Sequence, residues 1–252
     1  MLTIPGVKTR AAVIGETPET YIFYGHHTTG KTHLAADAAA HYQKLGKSVL
    51  YVVTPGEEPE ATLSQFGLGE IITSVNKAAE VDELIKAITD KVDVVIVDSL
   101  KGLNRLIMDK LCGKDKMPQD SKGWVPAHEA FSSAVTAFKA ASPVTIFLCP
   151  ADRSTDSFVD PDGKKPNVIA CDLPGRMSTA IRATVSYMAY VESSFDQKTK
   201  VFTRSASFVP DNNILTLARG LRQPMTEPIV FTGFDGQWGQ ITTALEEQRN
   251  AS

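Results

Sequence analysis

The sequence is poor in cysteine, in net charge and in long apolar runs. Its 252 residues include three cysteines and carry a formal net charge of −3. Three cysteines without C-x-x-C spacing indicate a reducing compartment and no zinc site. A nearly neutral chain has no overall basic field to attract nucleic acid, so such contacts must come from local patches. No run approaches the roughly 18 apolar residues of a membrane span, and we expect neither a membrane segment nor a secretory signal.

What remains is ordinary globular composition, 42% hydrophobic and 22% charged. Short β-branched runs alternate along the chain with segments of helical periodicity. The clearest runs are Tyr21–Tyr24, Ser48–Thr54, Val92–Val97 and Pro143–Cys149. This alternation predicts an α/β fold with a mainly parallel, twisted sheet and helices on both faces. In such a sheet, ligands bind at the carboxyl ends of the strands.

Two long polar stretches interrupt this pattern. Cys112–Val125 is predicted as a loop before a helix at Pro126–Ala141, and Pro150–Pro174 as a second loop. Loops of this length inside a compact domain are usually functional or mobile. Beyond Val209 the pattern weakens, and only Ile241–Gln248 is predicted to be helical.

The most specific motif is GHHTTGKT, which fits G-x-x-x-x-G-K-[ST]. It lies between an apolar run and strong helix formers, which is the strand–loop–helix context of a phosphate-binding loop. The N–H groups of the loop and of the helix N-terminus can converge on phosphates. We predict that ATP phosphates bind here, with Lys31 at the β- and γ-phosphates and Thr32 on Mg²⁺. The predicted nucleotide-binding residues are Gly25, His26, His27, Thr28, Thr29, Gly30, Lys31 and Thr32.

Carboxylates follow two other predicted strands. Asp98 ends the most apolar run, and there it can organise the Mg²⁺ ion opposite Lys31 and Thr32. The alternative is a strand-end aspartate that caps the next helix. Glu57 and Glu58 follow the Ser48–Thr54 run, and one of them can position or deprotonate an attacking water. The sequence does not separate these two glutamates, and an acidic turn that starts the next helix is the alternative for both.

Further charged residues lie near the expected site. Asp152 and Arg153 follow the Pro143–Cys149 strand, where a γ-phosphate sensor is expected, although a plain loop ion pair is the alternative. Arg176 and Arg182 are candidates for an arginine finger that acts in trans on a neighbouring subunit. Three later arginines are weaker candidates for the same role: Arg204, Arg219 and Arg222.

Together these motifs resemble the RecA-type ATPase core from about Tyr21 to Glu192. GHHTTGKT is similar to the family's phosphate loop, and DVVIVDSL at Asp93–Leu100 is similar to its Walker B strand. IFLCPADR at Ile146–Arg153 lies where the family has its sensor strand, but Cys149-Pro150 replaces a glutamine found in recombinases. The resemblance implies a RecA-like P-loop NTPase fold. It divides the chain into a lead-in (1–20), the ATPase core (21–208) and a C-terminal extension packed on the core (209–252).

The resemblance also implies two DNA-binding loops, here Cys112–Val125 and Arg153–Gly175. Lysine and arginine would contact phosphates, and an aromatic ring would stack on a base. The predicted DNA-binding residues are Lys114, Lys116, Lys122, Trp124, Arg153, Lys164 and Lys165. Neighbouring aspartates offset part of this charge, so a solvated charged loop is the alternative.

In length the chain is most similar to phage-encoded ATPases that consist of a RecA core alone, some of which are implicated in single-strand annealing. This resemblance implies a Mg²⁺-dependent ATPase that acts on single-stranded DNA in recombination, repair or replication. We expect a cytoplasmic homo-oligomer, a ring or filament, with a single-strand-binding or replication protein as a candidate partner. It would lie in the host-cell cytoplasm if phage-encoded. The alternatives are a nucleotide-gated loader or regulator that hydrolyses little ATP, and a small-molecule kinase.

Overall fold

The computed structural model describes residues 18–89, 91–114, 116–154, 168–174, 177–209 and 214–251. Most of the predicted lead-in and much of the second predicted loop lie outside these ranges. Within them, no helix is both long and apolar enough to cross a membrane.

Ten strands and seven α-helices make up the described part of the chain. The strands are β1 (Glu19–Gly25), β2 (Val49–Val53), β3 (Ile72–Ser74), β4 (Val94–Asp98), β5 (Val144–Ser154), β6 (Val168–Cys171), β7 (Tyr187–Asp196), β8 (Val201–Ser207), β9 (Leu217–Ala218) and β10 (Ile229–Val230). The helices are α1 (Lys31–Lys44), α2 (Glu60–Gln65), α3 (Ala78–Ile88), α4 (Leu100–Cys112), α5 (Ser121–Ala141), α6 (Met177–Thr184) and α7 (Gln237–Asn250). A 3₁₀ turn, Gly69–Ile71, precedes β3.

The strands form one twisted sheet in the order β10-β8-β7-β1-β5-β4-β2-β3. Strands β7, β1, β5, β4, β2 and β3 pair in parallel, so their carboxyl ends meet at one edge. Antiparallel pairing is confined to β8 and the short strands β6, β9 and β10. The predicted α/β class with a mainly parallel sheet is confirmed.

Side chains alternate between two buried clusters, one on each face of the sheet. On β4, Val94 and Ile96 belong to the cluster that includes α1 and α7, whereas Val95 and Val97 belong to the cluster with α3, α4, α5 and α6. Because successive strand residues point to opposite faces, Asp98 points to the same face as Val94 and Ile96. The pleat therefore directs the Asp98 carboxylate toward α1, which carries the phosphate loop at its N-terminus.

Helix α7 is attached to α1 by a buried carboxylate. Asp37 on α1 accepts hydrogen bonds from the backbone N–H of Gly236 at 2.9 Å and of Trp238 at 2.7 Å. These donors belong to the first turn of α7, so Asp37 acts as a cap supplied by another helix. Trp238 is fully buried and packs edge-on against Tyr21 at a ring-centroid distance of 5.0 Å. The C-terminal helix thus packs against α1 and β1, the two elements that the phosphate loop joins.

Helix α5 begins earlier than the sequence pattern predicts. Its first residue is Ser121, because Asp120 caps the helix by accepting a hydrogen bond from the Gly123 N–H at 2.9 Å. Pro126 is therefore inside the helix, not at its start. The predicted loop at Cys112–Val125 is correspondingly shorter, since α4 also extends through Cys112.

The second predicted loop is wrong in part. Strand β5 continues past Cys149 to Ser154, and β6 pairs with this extension in antiparallel register, with Ala151 opposite Cys171. The sequence pattern predicted that the strand ends at Cys149 because Pro150 follows it. The C-terminal helix is also longer than predicted and covers Gln237–Asn250.

Replacing Asp37 with alanine should lower the free energy of unfolding by about 2–4 kcal/mol, since two buried N–H groups lose their acceptor. Chemical denaturation followed by circular dichroism measures this change. The matched control is Asp82→Ala, which removes an exposed carboxylate 3.5 Å from Lys110 and should cost less than about 1 kcal/mol. Equal losses in the two variants would contradict the capping role.

Candidate functional site

The phosphate loop joins β1 to α1 at the carboxyl edge of the sheet. Its backbone turns through two left-handed positions, Thr28 with φ 67° and Gly30 with φ 92°. Glycine adopts this conformation without steric cost, which explains the glycine before Lys31. The Thr29 side chain is buried and donates to the His26 carbonyl at 3.0 Å, whereas His26, His27 and Thr28 are exposed. The loop is therefore held by its own contacts and presents its backbone outward.

Lys31 folds back over the loop that precedes it. Its Nζ donates to the carbonyl oxygens of Gly25 at 2.8 Å and of His26 at 2.7 Å. Burial lowers the pKa of this ammonium, while nearby Asp98 and Glu57 act in the opposite direction. These contacts place the positive charge of Lys31 beside the loop backbone, and its contact with the β- and γ-phosphates stays a prediction.

Asp98 is brought next to the start of α1. Thr32 Oγ1 donates to Asp98 Oδ2 at 3.4 Å, and the Tyr51 hydroxyl donates to the same oxygen at 2.7 Å. Asp98 is only 3% exposed and Tyr51 is fully buried. The two predicted metal residues are thus adjacent. Sequence reasoning did not identify Tyr51, because a tyrosine in an apolar strand looks like any other core residue.

Burial raises the pKa of the Asp98 carboxyl to about 6, and nearby Glu57 adds to this increase. The hydrogen bond from Tyr51 opposes it most strongly, and Lys31 and Thr32 oppose it less. Because this pKa is higher in the folded state than in the unfolded state, Asp98 favours folding at low pH. That contribution falls as the pH rises from about 4 to about 6, by roughly 3 kcal/mol in all.

The structure separates the two candidate glutamates. Glu57 is half-buried in the cleft and its Oε1 accepts a hydrogen bond from Ser99 Oγ at 2.6 Å. Glu58 is exposed and does not line the cleft. Only Glu57 faces the space beside Lys31 and Asp98, so it is the stronger candidate for the residue that positions a water.

Ser99 is fixed by contacts that the sequence pattern did not reveal. Its N–H donates to Thr54 Oγ1 at 2.7 Å, and the Thr54 hydroxyl donates to the Ser99 carbonyl at 3.0 Å. Gly102 permits this approach, since a Cβ there would lie 2.1 Å from Thr54 Oγ1. The ends of β2 and β4 are therefore locked together, which fixes the distance between Glu57 and Asp98.

These groups surround one cleft of about 580 Å³. Where β5 borders it, the lining residues are Cys149 and Pro150, whereas Asp152 is exposed and lies beyond them. At this border the cleft is thus lined by a buried thiol and a proline, and Asp152, the predicted sensor, does not line it. Burial raises the pKa of the Cys149 thiol well above its ordinary value, so this group is uncharged.

Apart from Arg204, the predicted arginines and DNA-binding residues that the structure describes do not line the cleft. Arg182 lies on α6, whose buried residues pack on the face opposite α1. Lys114 and Lys116 are exposed, and Lys122 and Trp124 lie in the first turn of α5, where Trp124 packs partly on the core. Their contact with DNA stays a prediction. Four predicted positions lie outside the described residues or side chains: Arg153, Lys164, Lys165 and Arg176.

The cleft fits a phosphate chain accompanied by a divalent cation. No side chain in the described part of the chain caps the N-terminus of α1, so its first N–H groups are available to an anion. The Thr32 hydroxyl and the Asp98 carboxylate supply the oxygen ligands that Mg²⁺ prefers. Arg204, on β8, adds two buried donors, Nε and Nη1, that have no acceptor among the described residues.

Comparison with known proteins gives three findings. The sequence model of a family described as AAA domain matches residues 17–219. RecA from Mycoplasma genitalium is 31% identical over 87 residues, which are 32% of this chain. The match spans 25% of that relative's length. The flagellar accessory protein FlaH from Methanocaldococcus jannaschii superposes with a TM-score of 0.48 and 16% identity, covering 85% of this chain and 84% of FlaH.

Tyr51→Phe should raise the pKa of Asp98 above about 6, because the ionised carboxylate loses its strongest hydrogen bond. We expect the free energy of unfolding to fall by about 1–3 kcal/mol at pH 7.5 and by less at pH 4.5. Denaturation in metal-free buffer at the two pH values measures the difference. Asp98→Asn provides the control background, in which Tyr51→Phe should lose its pH dependence. Equal losses at both pH values in the otherwise native protein would contradict the proposed coupling.

Proposed function

The chain belongs to the AAA domain family, a family of P-loop ATPases, and we propose that it hydrolyses ATP with Mg²⁺ while acting on single-stranded DNA. The observation that carries the ATPase proposal is the convergence of Lys31, Thr32, Asp98 and Glu57 on one cleft. These residues come from three separate stretches of the sequence, around positions 31, 57 and 98. Their chemistry matches the needs of phosphoryl transfer to water, which are phosphate charge neutralisation, metal binding and a positioned nucleophile.

Each residue then has a separate role. The loop N–H groups and Lys31 bind the β- and γ-phosphates and offset their charge. Thr32 and Asp98 would hold Mg²⁺, which when bound supplies positive charge to the phosphate oxygens. Glu57 accepts a hydrogen bond from the attacking water and orients it, while the Ser99 hydroxyl holds the Glu57 carboxylate in place.

Two observations support action on DNA, and neither of them identifies which DNA structure is bound. Lys114 and Lys116 are exposed between α4 and α5, in the first of the two segments expected to contact DNA. The relative with 31% identity is a RecA protein. Lysines of this kind bind phosphates without reading sequence, so we propose binding that is salt-dependent and independent of base order. A homo-oligomer, a ring or filament, is part of the same proposal.

One observation favours the second candidate function, a nucleotide-gated loader or regulator that hydrolyses little ATP. The β5 border of the cleft offers a buried thiol and a proline, Cys149 and Pro150. Neither is a strong hydrogen-bonding group that could report the presence of a γ-phosphate to the segment after β5. ATP would then act mainly by its binding.

Steady-state ATP turnover with Mg²⁺, with and without single-stranded DNA, tests the proposal. Lys31→Ala should abolish turnover, and Glu57→Gln should lower kcat at least about 100-fold because the water loses its orienting carboxylate. Glu58→Gln is the matched control and should stay within about threefold of the native kcat. DNA should raise turnover in the native protein.

The other outcomes select between the alternatives. Tight ATP binding with negligible turnover in both conditions would replace the ATPase proposal with the nucleotide-gated one. Transfer of phosphate to a nucleoside or metabolite, tested directly, would support the kinase. Equal losses in Glu57→Gln and Glu58→Gln would remove Glu57 from its assigned role.

A further inference from the structure

Arg204 lies directly above the phosphate loop of its own chain. It is on β8, opposite Ser193 of β7 and two strands away from β1. A Cβ atom on Gly30 would be 2.8 Å from both the guanidinium carbon and Nε of Arg204. The sequence suggested only that such an arginine acts on a neighbouring subunit. In the structure this arginine borders the cleft of the subunit that carries it.

Two aromatic rings hold the guanidinium. Its central carbon lies 5.4 Å from the centroid of the Phe202 ring and 4.9 Å from that of the Phe234 ring. Phe234 is itself fixed to α1, because its carbonyl oxygen lies 2.5 Å from the His33 Nε2. Aromatic rings packed on a guanidinium limit its motion. The N–H groups in the plane of the guanidinium can still donate hydrogen bonds. Arg204 is thus positioned before any ligand arrives.

The donors of this guanidinium are not satisfied within the described protein. Nε and Nη1 are buried and have no hydrogen-bond acceptor among the described residues. Buried donors without partners are unfavourable and uncommon, and an explanation is a ligand that supplies the acceptors. A planar fork of N–H groups is suited to the oxygens of a phosphate or carboxylate.

The strand order indicates which part of the ligand Arg204 meets. Asp98 ends β4 and Glu57 follows β2, both on one side of β1 and its phosphate loop, whereas Arg204 is on β8, on the other side. The reacting end of a phosphate chain must face Asp98 and Glu57. The opposite end, where the chain joins the nucleoside, then faces Arg204.

We propose that Arg204 binds, in cis, the nucleotide phosphate next to the nucleoside, and that it determines nucleotide affinity and not the rate of hydrolysis. This inference rests on the proposed function, because it takes the ligand of the cleft to be a nucleoside triphosphate. It differs from an arginine finger, which stabilises charge at the γ-phosphate in the transition state.

Dissociation constants for ATP and ADP, measured by fluorescence competition, test the proposal. Arg204→Ala should weaken both nucleotides by a similar factor, roughly tenfold or more, because ADP retains the phosphate that Arg204 contacts. The kcat at saturating ATP should stay within about twofold of the native value. Arg204→Lys keeps the positive charge but loses the paired N–H donors of the guanidinium, and it should recover part of the affinity. This variant also shows whether the loss in Arg204→Ala comes from misfolding. The control is Lys86→Ala, an exposed cation on α3 outside the cleft, which should change neither dissociation constant.

Three results would overturn the inference. Unchanged affinity in Arg204→Ala would exclude the contact, and weaker ATP with unchanged ADP would move it to the γ-phosphate. A large loss of kcat at unchanged affinity would make Arg204 a transition-state residue. Native protein that binds neither nucleotide would instead refute the proposed function, so the two failures are distinguishable.

Discussion

The buried carboxylate of Asp98 is the constraint on which the rest of the site depends. An ionised carboxylate that is 3% exposed is costly unless neighbouring groups donate to it. The donors come from two elements, Tyr51 on β2 and Thr32 on α1, and the charge of Lys31 lies nearby. Their positions follow from the sheet, because the pleat directs Asp98 toward α1. Stabilising this one carboxylate therefore also fixes the phosphate loop against the strand ends.

The same sheet edge gives the cleft two chemically different sides. On the side of β4 and β2, the locked contact between Ser99 and Thr54 places Glu57 beside Asp98. On the side of β8, two aromatic rings hold the guanidinium of Arg204. Its buried N–H donors have no hydrogen-bond acceptor among the described residues. A phosphate chain laid across the loop would have its reacting end on the acidic side. The Asp37 cap supports this arrangement from behind, since it holds α7 and the preceding Phe234 segment against α1.

The fold class and the residues of local motifs were predictable from the sequence, and contacts between distant residues were not. Strand–helix alternation and a fixed-spacing motif are local signals, so they located the phosphate loop and Asp98. The choice between Glu57 and Glu58 depends on the Ser99 hydroxyl, which is 42 residues from Glu57 along the chain. Tyr51 and Arg204 are likewise defined by partners in other strands and loops. The start of α5 was missed because Pro126 is a common first helical residue, but the Asp120 cap lies upstream.

The central claim is that Asp98 organises Mg²⁺ at the phosphate loop. Its most direct test is the increase that ATP causes in the midpoint temperature of thermal unfolding, measured once with Mg²⁺ and once with EDTA. A ligand that binds only the folded state raises the midpoint, and at a fixed concentration the increase is larger for tighter binding. If Asp98 organises the metal, Mg²⁺ should enlarge the ATP-induced increase in the native protein. In Asp98→Asn, ATP should still raise the midpoint in EDTA, but Mg²⁺ should add little. An unchanged Mg²⁺ increment in Asp98→Asn, or no response to ATP in the native protein, would contradict the account.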